Sequence, residues 1–114
     1  MKTIYIAGPM TGCHLHNFPA FDEAERRLRA LGWEVLNPAT LSRQLGFDEH
    51  AGVEPTPEYM DKAMRADIEA ILSADAICLL PHWQNSKGAR AEEALAHWRG
   101  LSILVWPNLS EPTP

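Results

Sequence analysis

Two acidic side chains are the strongest candidates for chemistry in this chain of 114 residues. Asp67 shares one row of a predicted helix with apolar residues at three- and four-residue spacing, which places its carboxyl at the core boundary. Burial raises the pKa of a carboxyl group, and a raised pKa suits a general acid. A local ion pair with Arg65 or Lys62 is the alternative. Glu92 lies about two turns into the last predicted helix and leans toward its amino end, although a solvated acid also fits that position.

Metal and cofactor signatures are not found in the sequence. His14-Leu15-His16 offers two imidazoles, but no further Cys, His or acid accompanies them at ligand spacing, so we predict no metal site. The chain has no G-x-G-x-x-G, Walker or G-x-S-x-G motif, and we predict no cofactor. Cys13 lies in a predicted turn and Cys78 in an apolar run, and a disulfide between them is not expected in a cytosolic protein.

The hydrophobic pattern predicts four strands that alternate with helices. Apolar runs predict strands at 3–7, 33–36, 76–80 and 101–106, and helical periodicity predicts helices that begin near Asn17, Thr56 and Ser86. Segment 39–55 fits either a short helix or a lid-like loop. Because this alternation favours a parallel sheet, we predict an α/β fold. It is a single-domain Rossmann/flavodoxin-like three-layer sandwich over residues 1–106, with a short, mainly parallel sheet of order 2-1-3-4. A frayed proline-rich tail is expected at 107–114.

The same periodicity predicts which side chains face the core. In the helix that begins near Thr56, the predicted apolar stripe comprises Met60, Met64, Ile68, Ile71 and Leu72. In the last helix, the residues predicted to face inward are Ala91, Leu95 and Trp98. Tyr5 alternates with two isoleucines in the first strand, so plain core packing is one interpretation of its role.

Three turn segments follow strands of the predicted sheet and should meet at one crevice. Ligands of open parallel sheets bind outside the carboxyl ends of the strands, which is where these segments lie. Their candidate binding residues are Gly8, Pro9, Met10, Thr11, Asn37, Trp83, Ser86, Lys87 and Gly88. Purely structural roles are also open: Asn37 fits a strand end, Trp83 a cover for the sheet edge, and Ser86 a helix N-cap.

Charge and hydropathy exclude several classes of partner. The net charge is −5 and the basic residues are scattered, whereas binding of a nucleic acid polymer needs a concentrated cationic surface. No apolar run approaches the ~20 residues of a membrane span, and the amino end lacks a signal-peptide pattern. We therefore predict a cytoplasmic protein whose partner is a small molecule, with no nucleic acid polymer and no membrane.

Four short motifs stand in a defined order, namely Ile4–Gly12, Arg65-Ala66-Asp67, Asp75 and Ser86–Glu92. Their order and spacing resemble the nucleoside 2-deoxyribosyltransferase superfamily, in particular its small phage and bacterial branch of unknown function. The resemblance implies retaining glycosyl transfer through a covalent ester between the sugar and an enzyme carboxylate. It implies that Glu92 is the nucleophile, that Asp67 protonates the departing base, and that Tyr5 positions the nucleophile. Gly8 matches the glycine of the ligand-facing turn.

The position six residues before the nucleophile differs between two branches of this superfamily. The resemblance implies an acid there in the transferases and a phosphate-binding serine in the 2'-deoxynucleoside 5'-monophosphate N-hydrolases, and this chain has Ser86. The hydrolases also use a serine and an arginine in the first turn, where this chain has Pro9 and Thr11. The expected function is hydrolysis or transfer at the N-glycosidic bond of a nucleoside or nucleoside 5'-monophosphate. The alternative is a non-catalytic nucleotide-binding module, and a homo-oligomer is implied by the sites that relatives share between subunits.

Overall fold

The computed structural model describes residues 2–113, which form four strands, four α-helices and two short 3-10 turns. The strands are β1 (Thr3–Ala7), β2 (Glu34–Leu36), β3 (Ala76–Leu79) and β4 (Ser102–Val105). The helices are α1 (Phe18–Ala30), α2 (Pro38–Gln44), α3 (Pro57–Ser73) and α4 (Lys87–Arg99), and the 3-10 turns are His14–Asn17 and Trp83–Asn85. All strand pairings are parallel in the order β2-β1-β3-β4, so the predicted α/β class and sheet order are confirmed.

Side chains alternate across the central strand β1, and the two faces of the sheet are therefore packed by different helices. Ile4 and Ile6 point to the face that α1 covers, called here the α1 face. Tyr5 and Ala7 point to the opposite face, called here the α3–α4 face. The α1 face carries the large buried side chains Phe18, Phe21, Leu28 and Trp33. The α3–α4 face carries the buried residues Ala70, Ile71, Ala74, Ile77, Leu79 and Ala96.

Helix caps fix where α3 and α4 begin and end. The hydroxyl of Thr56 accepts a hydrogen bond from the backbone N–H of Tyr59 at 3.1 Å, and Ser86 accepts from that of Ala89 at 3.1 Å. Each bond satisfies an amide that the first turn of a helix leaves without a partner. Gly100 ends α4 with a φ of 82°, a conformation that glycine adopts without steric cost. The predicted starts of both helices are confirmed.

The predicted inward faces of α3 and α4 are partly wrong. Ile71 is fully buried, but four other members of the α3 stripe are at least 40% exposed: Met60, Met64, Ile68 and Leu72. In α4, Leu95 is half-buried, Ala91 is exposed and Trp98 is 86% exposed. Periodicity identifies an apolar stripe but not whether a partner covers it, and part of this stripe borders a cavity. Across residues 2–113, no helix has both the length and the apolarity to cross a membrane.

Two segments are more ordered than the sequence pattern predicts. Helix α2 follows β2 directly because Asn37 caps it, its side-chain oxygen accepting from the N–H of Ala39 at 2.9 Å. Residues 107–113 fold back onto the α1 face, where Leu109 packs against the core and the indole N–H of Trp33 donates to the carbonyl of Ser110 at 2.8 Å. The expectation of a frayed tail is therefore wrong for these residues.

Candidate active site

A cavity of about 440 Å³ is enclosed by α3, α4 and the turn that follows β1. Its other walls come from the 3-10 turn before α1 and from the segment between α2 and α3. The turn after β1 contributes Met10 and Thr11, α3 contributes Asp67, and α4 contributes Gly88 and Glu92. The cavity thus lies at the carboxyl edge of the sheet, where parallel sheets bind ligands. Five of the predicted site residues meet there.

Tyr5 connects the central strand to the cavity. Its side chain is fully buried in the α3–α4 face, and its hydroxyl donates a hydrogen bond to Glu92 Oε2 at 2.9 Å. Burial, and then the nearby charges of Glu92 and Asp67, raise the pKa of Tyr5 well above its usual value of 10.0. The phenol therefore stays protonated and acts as a fixed donor to Glu92. The Tyr5 ring thus packs in the core, and its hydroxyl contacts the acid that the resemblance assigns as the nucleophile.

Both cavity carboxyls hold protons unusually tightly. Burial raises the pKa of Asp67 to about 7, opposed by the Tyr5 hydroxyl. Burial, and then the charge of Asp67, raise the pKa of Glu92 to about 8, again opposed by Tyr5. Arg65 pairs with Asp61 at 2.9 Å, so the local ion pair considered for Asp67 is not formed with that arginine. The two cavity acids carry the signature of desolvated groups near one another.

The charge of Asp67 raises the pKa of Glu92, so the two carboxyls titrate as a coupled pair. Near neutral pH one carboxyl is ionised and the other is protonated, because two adjacent buried charges repel. Tyr5 has a single hydroxyl proton, and its hydrogen bond is to Glu92. This bond lowers the pKa of Glu92, which still stays at about 8, above that of Asp67 at about 7. The arrangement can supply one nucleophilic carboxylate and one carboxylic acid at the same pH.

The remaining predicted residues of the first turn and of β2 do not line the cavity. Gly8 packs against Leu80, the residue that follows β3, since a Cβ at this position would come within 2.8 Å of the Cβ of Leu80. The carbonyl of Pro9 accepts a hydrogen bond from the side chain of Asn17 at 2.9 Å. Asn37 is 3% exposed and donates its amide protons to acids of α1, Asp22 and Glu25. These residues shape the turn and hold α2 in place.

Ser86, Trp83 and Lys87 also lie outside the main cavity. Ser86 uses its hydroxyl as the cap of α4. Trp83 and Lys87 line a separate groove on the other side of α4, together with Arg90 and Glu93. Among the cavity-lining residues in the described part of the chain there is no lysine or arginine. The cavity is therefore apolar and acidic, and the cationic side chains of α4 face elsewhere.

An aromatic wall, formed by His16, Phe18, Phe47 and Tyr59, was not anticipated from the sequence. Phe47 and Tyr59 stack with ring centroids 5.0 Å apart, and His16 meets Phe47 edge-on at 4.8 Å. Phe47 lies in the segment with a weak hydrophobic pattern, and Tyr59 is off the main stripe of α3. No periodic signal marks these residues, because they converge from three different segments. Planar aromatic surfaces of this kind suit contact with a flat ring.

The turn before α1 has an unusual backbone. Leu15, His16 and Asn17 all have left-handed φ values, of 49°, 52° and 62°. Residues with a Cβ adopt this region at a cost of about 1–2 kcal/mol each. Asn17 precedes α1 as predicted, but it does not cap the helix with its side chain, which bonds to the carbonyl of Pro9 instead. The left-handed turn brings the His16 ring to the cavity.

Arg43 of α2 forms an ionic bridge that holds the aromatic wall. Its guanidinium donates to Asp22 of α1 at 2.8 Å and to Glu49 at 2.6 Å, and it lies 5.0 Å over the ring of Phe18. The two acids hold the pKa of Arg43 above its usual value, while burial opposes them. Glu49 lies two residues after Phe47, so the bridge fixes the segment that carries this ring. Arg43 is thereby engaged with protein acids.

Within residues 2–113, no three or more His, Cys, Asp or Glu side chains are grouped so that they could hold a metal ion. His14 and His16 both lie in the 3-10 turn before α1, separated by Leu15, but only His16 lines the cavity. The ionisable side chains that line the cavity are the carboxyls of Asp67 and Glu92, the phenol of Tyr59 and the imidazole of His16.

The fold and the paired carboxyls define a small parallel α/β domain with a cavity at the carboxyl edge of its sheet. Residues 2–105 match the family described as "Domain of unknown function (DUF4406)", and the chain belongs to this family. The predicted kinship with the small branch of unknown function is confirmed. No curated protein matches the sequence.

Two solved structures have the same fold. The chain is similar to a 2-deoxyribosyltransferase from the psychrotolerant bacterium Bacillus psychrosaccharolyticus, with a TM-score of 0.65 and 23% identity over 90% of this chain and 70% of that one. It is also similar to a 2-desoxiribosyltransferase from Leishmania mexicana, with a TM-score of 0.57 and 22% identity. That match covers 92% of this chain and 63% of the Leishmania protein. At such identities the likeness concerns the fold.

Proposed function

We propose that this protein cleaves the N-glycosidic bond of a nucleoside or nucleoside 5'-monophosphate, as a hydrolase or a deoxyribosyltransferase. The single observation that carries the proposal is the Tyr5–Glu92 hydrogen bond beside Asp67 in one cavity. A retaining glycosyl transfer needs one ionised and one protonated carboxyl on the same substrate. The coupled pair, with a phenol donor on one member, meets that requirement near neutral pH.

The proposed reaction has two steps. The Glu92 carboxylate attacks the anomeric carbon and forms an ester with the sugar, while the carbon–nitrogen bond breaks and the base leaves with the proton of Asp67. Water, or a second base, then attacks the same carbon. The Asp67 carboxylate accepts the proton of that nucleophile, and Glu92 departs as a carboxylate. Each residue ends in its starting protonation state, so the cycle closes without a cofactor.

The cavity lining favours a nucleoside over a 5'-monophosphate. A phosphate dianion is recognised by arginine, lysine or several backbone N–H groups. The described cavity lining carries two acids and no lysine or arginine, and Ser86 is engaged as a helix cap. The apolar wall and the aromatic rings suit a base and a neutral sugar. The two solved structures of similar fold are described as deoxyribosyltransferases, which agrees with a sugar–base substrate.

The first experiment measures free base by chromatography. Wild type, Glu92→Gln and Glu93→Gln are incubated with ribo- and deoxyribonucleosides and their 5'-monophosphates, with and without an acceptor base. We expect base release by wild type and a fall of roughly 10⁴-fold or more for Glu92→Gln, as for loss of other catalytic nucleophiles. Glu93→Gln is the matched control, because this neighbouring acid faces the separate groove. Equal rates for the two variants would contradict the proposal.

A non-catalytic nucleotide-binding module is the second candidate function, and one observation favours it. The pKa of Glu92 is about 8 even with the Tyr5 hydrogen bond, so near neutral pH the carboxyl that would attack is protonated unless a ligand lowers its pKa. A protonated pair can hold a ligand by hydrogen bonds without reacting. This candidate predicts stabilisation by a nucleoside in thermal unfolding, because a ligand that binds only the native state raises its stability. It also predicts that no base is released.

A further inference from the structure

The left-handed turn holds one imidazole against the cavity. His16 lies on this wall beside Phe47, at a ring distance of 4.8 Å and an interplanar angle of 82°. Its ring nitrogens form no hydrogen bond or ion pair with any residue between 2 and 113. A neutral imidazole carries one donor and one acceptor, and an aromatic edge contact satisfies neither. His16 therefore presents unused hydrogen-bonding groups beside a flat aromatic surface.

The backbone around His16 is fixed despite its strain. The N–H of His16 donates to the carbonyl of Cys13 at 3.0 Å, and the N–H of Cys13 donates to that of Met10 at 3.1 Å. The side chain of Asn17 ties the end of the turn to Pro9. A run of left-handed residues without glycine is unfavourable unless the surroundings impose it, and such conformations concentrate at ligand sites. Here the imposed conformation determines where the His16 ring lies.

Recognition of the base has to come from groups that the reaction leaves free. In the proposed reaction Glu92 attacks the sugar and Asp67 transfers the proton. Neither residue is therefore free to hydrogen bond the edge of the base. The edge of a nucleobase alternates donors and acceptors, as an imidazole does. The aromatic wall offers the adjoining apolar surface for a flat ring.

We propose that His16 is a specificity-determining residue that hydrogen bonds the heterocyclic base of the ligand. This proposal rests on the proposed function of the cavity and names the group that selects its leaving base. Leu15 and His16 share the strained backbone, but only His16 lines the cavity. A purely structural role of the turn would therefore make the two positions equivalent.

Matched variants can separate the effect of the strained backbone at His16 from the effect of its side chain. His16→Phe keeps a ring of similar shape and removes its donor and acceptor. His14→Phe makes the same change at an exposed neighbour that does not line the cavity. Leu15→Gly and His16→Gly relieve the same left-handed backbone, and only the second also removes the imidazole. His16→Gln restores a donor and an acceptor without the ring.

The experiment measures kcat/KM for nucleosides that share one sugar and differ in the donors and acceptors of the base. We expect His16→Phe to lower kcat/KM for the preferred base by about 10- to 100-fold, the range for a lost hydrogen bond that leaves a polar partner unpaired. The spread of kcat/KM among bases should narrow in the same variant. His16→Gln should regain part of the discrimination, and His14→Phe and Leu15→Gly should keep the wild-type ranking of bases.

Dissociation constants from calorimetry with the same nucleosides complete the test. If wild type releases base and His16→Phe lowers kcat/KM for every base by one factor, His16 is structural and the inference is overturned while the proposed function stands. If wild type binds without release and His16→Phe alters the ranking of affinities, the proposed function fails and the inference about His16 holds. If no nucleoside binds or reacts, both are overturned.

Discussion

The two faces of the sheet differ in the size of the side chains that pack them. On the α1 face, the aromatic rings of Phe18, Phe21 and Trp33 fill the space between α1 and the strands. On the α3–α4 face, alanines such as Ala70, Ala74 and Ala96 take the equivalent positions, and Tyr5 brings a polar hydroxyl into the core. The α3–α4 face also borders the cavity through Leu95 of α4.

This difference separates stability from chemistry within one small domain. Large buried rings remove more apolar surface from water than alanines do, so the α1 face supplies most of the hydrophobic stabilisation. The α3–α4 face has small residues where helices approach the sheet, and it leaves room for a cavity and for two desolvated acids. Burying two acids beside the α3–α4 face lowers the stability of the fold. The apolar packing of the α1 face offsets that loss.

The largest expected effect on stability comes from removing a buried ring on the α1 face. Phe21→Ala should lower the free energy of unfolding by about 3–5 kcal/mol, measured by urea titration, because it removes a fully buried ring. Ligand KM in the folded fraction should remain that of wild type. Phe47→Ala, on the aromatic wall, is the matched comparison and should raise KM while costing less stability. Similar losses of stability for both would contradict the distinction between the buried core and the aromatic wall of the cavity.

The next effect tests the acid on the α3–α4 face. Asp67→Asn should lower kcat by about 10²- to 10³-fold, because the departing base loses its proton donor. Substrates whose leaving group needs no protonation should be cleaved nearly as fast as by wild type. Asp61→Asn, which alters only an exposed ion pair on the same helix, should change neither rate nor stability by more than about 0.5 kcal/mol. An equal loss for both leaving groups would exclude Asp67 as the acid.

The pH dependence of stability should follow the cavity acids. Asp67 and Glu92 have pKa values of about 7 and about 8 in the folded protein, against usual values of 3.8 and 4.5. The folded state therefore binds more protons between pH 4 and 8, and the free energy of unfolding falls as pH rises through this window. A progressive decrease in the free energy of unfolding between pH 5 and pH 8.5 is expected in urea titrations.

Replacing one cavity acid tests whether these acids cause the pH dependence of stability. Glu92→Gln should lose less stability than wild type over the same pH range, because a neutral amide has no proton to release. Glu93→Gln, next to it on α4, should keep the wild-type slope. A wild-type slope in Glu92→Gln would mean that the acids are not desolvated in solution. Base release should be fastest near neutral pH, because the proposed reaction needs one of the two cavity carboxyls protonated and the other ionised.

The sequence predicts the sheet and the helix starts because local signals determine them. Alternating strands and helices lead to the order β2-β1-β3-β4, and Thr56 and Ser86 carry the hydroxyls that a helix start uses. The sequence does not decide between a helix and a loop for α2, because its seven residues are too few to reveal a periodic face. Trp98 was predicted to be buried, since apolar spacing identifies a stripe without identifying what covers it.

The site is predictable only in part for a related reason. Asp67 and Glu92 stand out by their motif spacing, and both line the cavity. Asn37 and Ser86 are polar residues beside the expected crevice, but their side chains satisfy helix ends instead. His16 has a left-handed backbone, which cannot be predicted here because the position is not a glycine. Its approach to the cavity therefore depends on contacts between distant segments.

The Arg43 bridge makes the cavity responsive to the solution around it. The contacts of Arg43 with Asp22 and Glu49 are partly exposed, so dissolved ions weaken them, whereas the apolar packing of the sheet is not screened. Loosening the bridge frees the segment that carries Phe47. A ligand with no charge of its own should then bind less tightly as ionic strength rises. The expected result is a salt-dependent affinity, although Arg43 does not itself line the cavity.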